Sequence, residues 1–301
     1  MRRLALIGLG AISRIHRESL GSDDVVIVGG SDPAVIEAEF QGRPFPVVGL
    51  DELVSLDPDV FIVAVPTTAH HQVLVELIER RPRGVVLVEK PIAATALQVA
   101  DIEERAAQCD VSIGCLYHAR HAPEVVWGTQ ISAQRQQPIR RVEASFCDPY
   151  ATTPLADRQR TYGTPWFDSG INALSVLDHF VDLARLELVD RQASELTDYV
   201  ATVDREAGSS VDVWCSWQVT TASKSTRVEF ADGAVLIVDH QATAGRLYEQ
   251  GRLVDSFGID GSVNRLTRHY QNVFRWLSDQ DWRPDTATDR RLHATLFRLT
   301  G

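Results

Sequence analysis

The hydrophobic positions of this chain change their period once along its length. In the first third they fall in short, nearly unbroken apolar runs at 4–7, 25–28, 60–65, 85–88 and 111–116. Runs this short and this uniformly apolar fit strands buried on both faces. Between them lie segments that read as helices at 11–20, 73–80 and 95–108, the last opened by Thr95 as a cap, with shorter ones at 34–40 and at 51–56 behind Asp51. Pro44 and Pro46 break the first of the short helices, and Val47-Val48 can form a brief third strand. Alternating buried strands and helices predict a parallel sheet with helices on both faces. Ligands of such sheets sit beyond the C-terminal strand ends. Residues 8–13, 66–68 and 89–91 fall there.

From about residue 120 the text changes. A helix is expected at 122–133, a half-buried alternating strand at 140–146, a polar loop with three prolines at 148–166, and a helix at 169–186. Residues 188–255 read as strands, with runs at 211–220, 226–230, 234–238, 246–249 and 253–257. Asp232-Gly233 and Gln250-Gly251 sit between runs as hairpin turns. An amphipathic helix at 263–278 and a final one at 289–299 follow. The expected fold class is α/β, in three parts: a parallel-sheet domain over 1–120, an α/β domain with a mostly antiparallel open sheet over 121–284, and a closing helix over 285–301 that packs back on the first domain.

Composition narrows the function classes. The chain has 301 residues, 44% of them hydrophobic and 24% charged, with a formal net charge of −11. That acidity, without a lysine–arginine cluster, argues against nucleic acid as a partner. No apolar run approaches the roughly 18 residues that suggest a membrane span. The start imitates a secretory leader briefly, but its apolar stretch is short and Arg14, His16, Arg17 and Glu18 follow, so it reads as a first strand. The four cysteines, Cys109, Cys115, Cys147 and Cys215, are dispersed and lack C-x-x-C spacing. They suit reduced, mostly buried thiols of a cytoplasmic protein.

The chemistry is densest in the first thirty-odd residues. Gly8 and Gly10 follow the first strand at once, permitting a sharp turn and a close backbone approach to a ligand. Ala11 and Ile12 open a helix whose free N–H groups and dipole favour a pyrophosphate. Ser13 stands where a third glycine is common, and is small enough for close helix–strand packing. Ser31 and Asp32 end the second strand about 20 residues past the glycines, where a carboxylate can accept hydrogen bonds from an adenosine ribose. The same carboxylate repels a 2′-phosphate, which favours NAD over NADP. An ordinary βα turn would need only the glycines; the whole strand–glycine–helix–strand–acid context points to a dinucleotide.

These residues, with Pro66-x-x-x-His70, Glu89-Lys90-Pro91 and Asp168-x-Gly170-x-Asn172, resemble the glucose–fructose oxidoreductase / inositol dehydrogenase (Gfo/Idh/MocA) family. The likeness is strongest up to residue 122 and thin after 190. It implies a Rossmann domain followed by an α/β domain whose open sheet often mediates oligomerisation, hence a homodimer or homotetramer. It also implies a cofactor site drawing on Gly8, Gly10, Ala11, Ile12, Ser31, Asp32, Pro66, Thr67, His70, Glu89 and Lys90. Lys90 would lie near the nicotinamide and the reacting hydroxyl, where an ammonium can hydrogen-bond an alkoxide as charge develops. Pro91 is a candidate for a cis bond. Many members carry histidine at the position of Asn172, and asparagine cannot titrate. The stretch 167–175 and Tyr117-His118-Ala119-Arg120 resemble the aldose 1-dehydrogenase branch, which oxidises a sugar at C1 to the lactone. The resemblance then implies that Lys90 and Asp168 handle the hydroxyl proton, that Asn172 orients the sugar, and that His118 and Arg120 contact it. Asp168 would serve equally as a plain N-cap, and the two roles are compatible. Oxidation at another carbon of a cyclitol or keto-sugar, or a catalytically silent NAD-binding sensor, remain open. His70 caps or packs rather than binding a metal, since no third ligand has suitable spacing. Trp214 and Trp217 read as core, and Asp239-His240 as solvated groups at a strand end.

Overall fold

A computed structural model of the chain describes residues 1–21, 25–275 and 282–300. It divides into two compact units, one of Met1–Leu116 with Tyr270–Arg290 and the other of Tyr117–His269 with Arg291–Gly301. The closing segment expected over 285–301 is thus shared, its first residues counting with the first unit and the rest with the second.

The first unit runs β1 (Arg2–Ile7), α1 (Ala11–Ser19), β2 (Val25–Ser31), β3 (Ala38–Phe40), β4 (Arg43–Phe45), α2 (Leu50–Ser55), β5 (Val60–Val63), α3 (Thr67–Glu79), β6 (Val85–Glu89), α4 (Ala96–Cys109) and β7 (Ile113–Leu116). Its five-stranded sheet has the order β2-β1-β5-β6-β7, every pairing parallel. The buried runs are its core: Leu4, Leu6, Val60, Ile62 and Leu87 pack with Tyr270, Val273 and Phe274. Three local expectations fail. The helix expected at 34–40 is instead a hairpin of β3 with β4. Gln41 and Gly42 take φ of 53° and 73°, the two positive values that a two-residue hairpin turn needs. The expected third strand does not form, and Val47 makes only an isolated bridge to Gly30. Helix α2 is opened by Gly49 without a side-chain cap; Asp51 instead binds Arg80. Thr95 does cap α4, accepting from the Gln98 N–H at 3.2 Å.

The second unit holds α5 (Pro123–Arg135), β8 (Ile139–Cys147), α6 (Leu155–Tyr162), α7 (Ile171–Leu177), β9 (Glu187–Ala193), β10 (Thr197–Asp204), β11 (Ser209–Ser216), β12 (Ser223–Phe230), β13 (Val235–Asp239), β14 (Ala244–Glu249) and β15 (Arg252–Gly258). α8 (Arg265–Phe274) and α9 (Thr286–Arg298) each straddle the division of the chain; residues 276–278 of the expected penultimate helix lie outside the described residues. The sheet has the order β15-β14-β13-β12-β8-β11-β10-β9, antiparallel except where β8 meets β11. Its alternation buries Val142, Ala144 and Phe146 on β8, and Val228 and Phe230 on β12. The expected polar loop 148–166 contains α6, and the expected long helix from 169 is replaced by a π-type turn at Trp166–Gly170 followed by the short α7. None of the described helices is long and apolar enough to cross a membrane. The four cysteines are free thiols, Cys147 and Cys215 buried.

Candidate functional site

In the first unit, β1, β5 and β6 end on one edge of the sheet because they run parallel. Gly8, one residue past β1, has a φ of +86°, and a Cβ there would lie 2.7 Å from the Ala64 carbonyl oxygen. Only glycine fits that turn. Its N–H donates to the Ser31 carbonyl at 2.9 Å. Gly10 is the N-cap of α1 and offers no side-chain cap; a Cβ on it would meet nothing within 4 Å. No side-chain cap takes the first N–H groups of α1, and no acid stands in its first turn. Ser13 is fully buried, as close packing at that position requires. The Asp32 carboxylate accepts from the Leu9 N–H at 2.8 Å and, through its other oxygen, from the Ala34 N–H at 2.8 Å. The acid expected to meet a ribose thus also braces the glycine loop. An uncapped helix end, a cradle without side chains and an acid at the next strand fit a dinucleotide.

Pro66 is the N-cap of α3 and Thr67 its first residue. His70 is buried with Nδ1 2.8 Å from the Pro91 carbonyl oxygen and Nε2 2.9 Å from that of Val65. Burial holds the imidazole below its usual pKa despite those carbonyls, so the neutral ring donates one N–H and ties the two loop segments together. Lys90-Pro91 is a cis peptide bond. Glu89 is turned inward. Its Oε1 accepts from His16 Nε2 at 2.8 Å and from the Tyr270 hydroxyl at 2.6 Å. Burial pushes the Glu89 carboxyl up, but those hydrogen bonds and the charges of His16 and Lys90 outweigh it and hold the carboxyl low.

In the second unit, Asp168 lies within the π-type turn, whose closing bond runs from the Ile171 N–H to the Trp166 carbonyl. Such turns often mark functional positions. Asp168 is no N-cap. Asn172 is buried, donates from Nδ2 to the Asp168 carbonyl at 3.1 Å, and leaves its Oδ1 without a hydrogen-bond partner. Arg120, expected to meet substrate, is engaged with Asp178 at 2.6 Å, and Arg291 binds the same carboxylate. Burial of Asp178 opposes its ionisation, but the two guanidinium groups hold it ionised. Trp217 is fully buried, packing with Tyr150 and Tyr162, while Trp214 is exposed on the sheet. Among the described residues no group could hold a metal ion.

Sequence reading missed a buried polar cluster in this unit. Glu124, His240, His269 and His118 form one string, and Lys224, Asp148 and Ser169 another, with Lys224 Nζ 2.6 Å from Asp148 and the Ser169 hydroxyl donating to it at 2.6 Å. His240 is buried rather than solvated, bonded to Glu124 and Thr226. The signal was parity. Leu236, Val238 and His240 share one phase, as do Lys224, Thr226 and Val228, so polar residues occupy inward positions.

Residues 2–116 match the profile of an oxidoreductase family with an NAD-binding Rossmann fold, Gfo/Idh/MocA. The match lies within the first unit. No curated protein matches the sequence. D-galactose-1-dehydrogenase from Rhizobium etli superposes with a TM-score of 0.74 at 20% identity, over 99% of this chain and 94% of its own. An inositol dehydrogenase homolog from Azotobacter vinelandii, complexed with NAD+, gives 0.73 at 20% identity, over 99% and 89%. UDP-N-acetylglucosamine 3-dehydrogenase from Acidithiobacillus ferrooxidans gives 0.75 at 17% identity, over 99% and 96%. These likenesses extend the shared fold to the full length of the chain.

Proposed function

We propose that this protein is an NAD-dependent sugar or cyclitol dehydrogenase, acting on an aldose at C1 to give the aldonolactone. The observation that carries the reading is the sheet edge of the first unit, where the cradle at Gly8 and Gly10 and the strand end bearing Lys90 stand on one side of the sheet. Bound NAD would supply the hydride acceptor. Gly8, Gly10, Ala11 and Ile12 would hold its pyrophosphate, Ser31 and Asp32 its adenosine ribose, and Pro66 and Thr67 would border its nicotinamide half. His70 and Glu89 would act by fixing the segments that carry these contacts. Lys90 would donate a hydrogen bond to the reacting oxygen as negative charge develops. Asp168, Asn172, His118 and Arg120 would make up the sugar side, Asn172 through the Oδ1 that has no partner inside the protein. The open sheet would serve a homodimer or homotetramer.

The test is a screen of free aldoses, cyclitols and keto-sugars for NADH formation. Turnover on aldoses alone supports the C1 reading, and turnover on cyclitols alone moves the site to another carbon. Tight NAD binding with no turnover on any of them favours a sensor, the reading that the untitratable Asn172 permits.

A further inference from the structure

One ion pair of the second unit is buried at the end of its sheet. Asp148 follows Cys147, the last residue of β8, which pairs with Ser216 of β11 on one side and Ser223 of β12 on the other. The Asp148 N–H donates to the Ser216 carbonyl at 2.8 Å, so its backbone is tied to the end of these strands. Both oxygens of its side chain are engaged. Oδ1 lies 2.6 Å from Lys224 Nζ on β12, and Oδ2 accepts from the Ser169 hydroxyl at 2.6 Å. The Lys224 side chain is 7% exposed and that of Asp148 12%, and Ser169 is fully buried. Replacing a buried ion pair by apolar groups is often neutral or stabilising, so stability alone gives this one no role. What the pair does supply is a charged acceptor, fixed against the sheet, for the Ser169 hydroxyl.

Ser169 stands inside the π-type turn Trp166–Gly170, directly after Asp168 and three residues before Asn172. The turn is held at a second point, where Trp166 Nε1 donates to the Leu296 carbonyl at 3.0 Å. A π-type turn encloses one residue more than an α-helical turn. If it closed as an α-helical turn, side chains before the change would swing about 100° round the axis relative to those after it. The placement of Asp168 relative to Asn172 therefore depends on this register. So does the direction of Asn172 Oδ1, the buried acceptor with no hydrogen-bond partner.

We propose that Asp148, fixed by Lys224, is a positioning residue: through Ser169 it holds the π-type turn in register and so sets the Asp168 and Asn172 side chains for the substrate. What those two side chains do rests on the dehydrogenase reading; the anchoring of the turn does not.

The test reads the turn first. Its closing bond runs from the Ile171 N–H to the Trp166 carbonyl. In amide hydrogen exchange on the full chain, Ile171 of Ser169→Ala should exchange faster than in the native chain by about tenfold or more, as the loss of one charge-assisted hydrogen bond implies. Lys224→Gln keeps a donor toward Asp148 without the charge and should give a rate between the two. Thr202→Val removes another buried hydroxyl, on β10, bonded to the Val211 carbonyl at 3.0 Å, and should leave the Ile171 rate unchanged. A native or slower rate in Ser169→Ala overturns the proposal. So does an equal acceleration in Thr202→Val, which would mark a general loosening. A native rate in Lys224→Gln removes the lysine from the anchor. On any sugar or polyol that is turned over, Ser169→Ala should lower kcat/KM for that substrate by about tenfold or more, with KM for NAD unchanged and Thr202→Val as active as the native chain. An unchanged kcat/KM in Ser169→Ala ends the positioning role. If the Ile171 amide responds as expected and the native chain turns nothing over, the dehydrogenase reading falls and the anchored turn stands.

Discussion

At the scale of single residues, Gly8 and Gly10 differ in a way their shared motif hides. Gly8 has a left-handed φ and a backbone carbonyl 2.7 Å from any added Cβ. Gly8→Ala should cost about 2 kcal/mol or more in denaturant unfolding, with or without NAD. Gly10 has an ordinary φ of −73° and open space around it. Gly10→Ala should leave stability unchanged and weaken NAD binding alone, because its methyl enters the space left for the pyrophosphate. Equal loss of stability in both variants would refute the distinction. Asp32→Asn keeps an acceptor for the Leu9 N–H and removes the charge, so the preference for NAD over NADP should narrow by about tenfold, ~1.4 kcal/mol, in paired binding titrations. Lys90→Ala should abolish turnover while sparing NAD affinity; near-normal turnover would count against its role.

At the scale of elements, the end of β6 and the helix after the glycine loop are joined through one carboxylate. Glu89 sits one residue before Lys90, and its Oε1 holds His16 of α1 and Tyr270 of α8. His16 also packs edge-on against Tyr270, with ring centroids 4.5 Å apart. Glu89→Ala leaves two buried donors without an acceptor, which should cost about 2–4 kcal/mol, and should raise the KM for NAD through α1. Tyr270→Phe removes one donor only and should cost about 1 kcal/mol. A Glu89→Ala chain as stable as the native one would show that the bond does not brace the edge.

At the scale of the whole molecule, buried histidines set the acid limit of stability. His121 and His179 are pushed down to about 4, each by burial first and by the Arg120 charge next; burial lowers His70 and His269 as well. In the unfolded chain these imidazoles take a proton near about pH 6.5. Between about pH 6.5 and 4 the unfolded state therefore binds more protons than the folded one, and stability rises with pH across that window. The contribution is fully present above about pH 6.5 and lost as pH falls toward 4. Lowering a folded-state pKa by one corresponds to about 1.4 kcal/mol, reduced where water reaches the ring. The melting temperature should drop by about 5 °C between pH 7.5 and 5; a flat profile over that range would contradict the assignment.

Local pattern was enough for the parallel sheet, the glycine loop with Asp32, and the strand ending in Glu89-Lys90, because a run buried on both faces and a turn that needs glycine are properties of adjacent residues. It misread 34–40, where the positive φ of Gln41 and Gly42 turned an apparent helix into a hairpin, and 148–186, where α6 formed inside the expected loop and the expected helix from 169 became a π-type turn and the short α7. Only the tertiary structure brought Glu124, His240 and His269 together, or turned Glu89 inward to His16 and Arg120 toward Asp178. These partners stand far apart along the chain, and a buried charge reveals its role only through the groups that surround it.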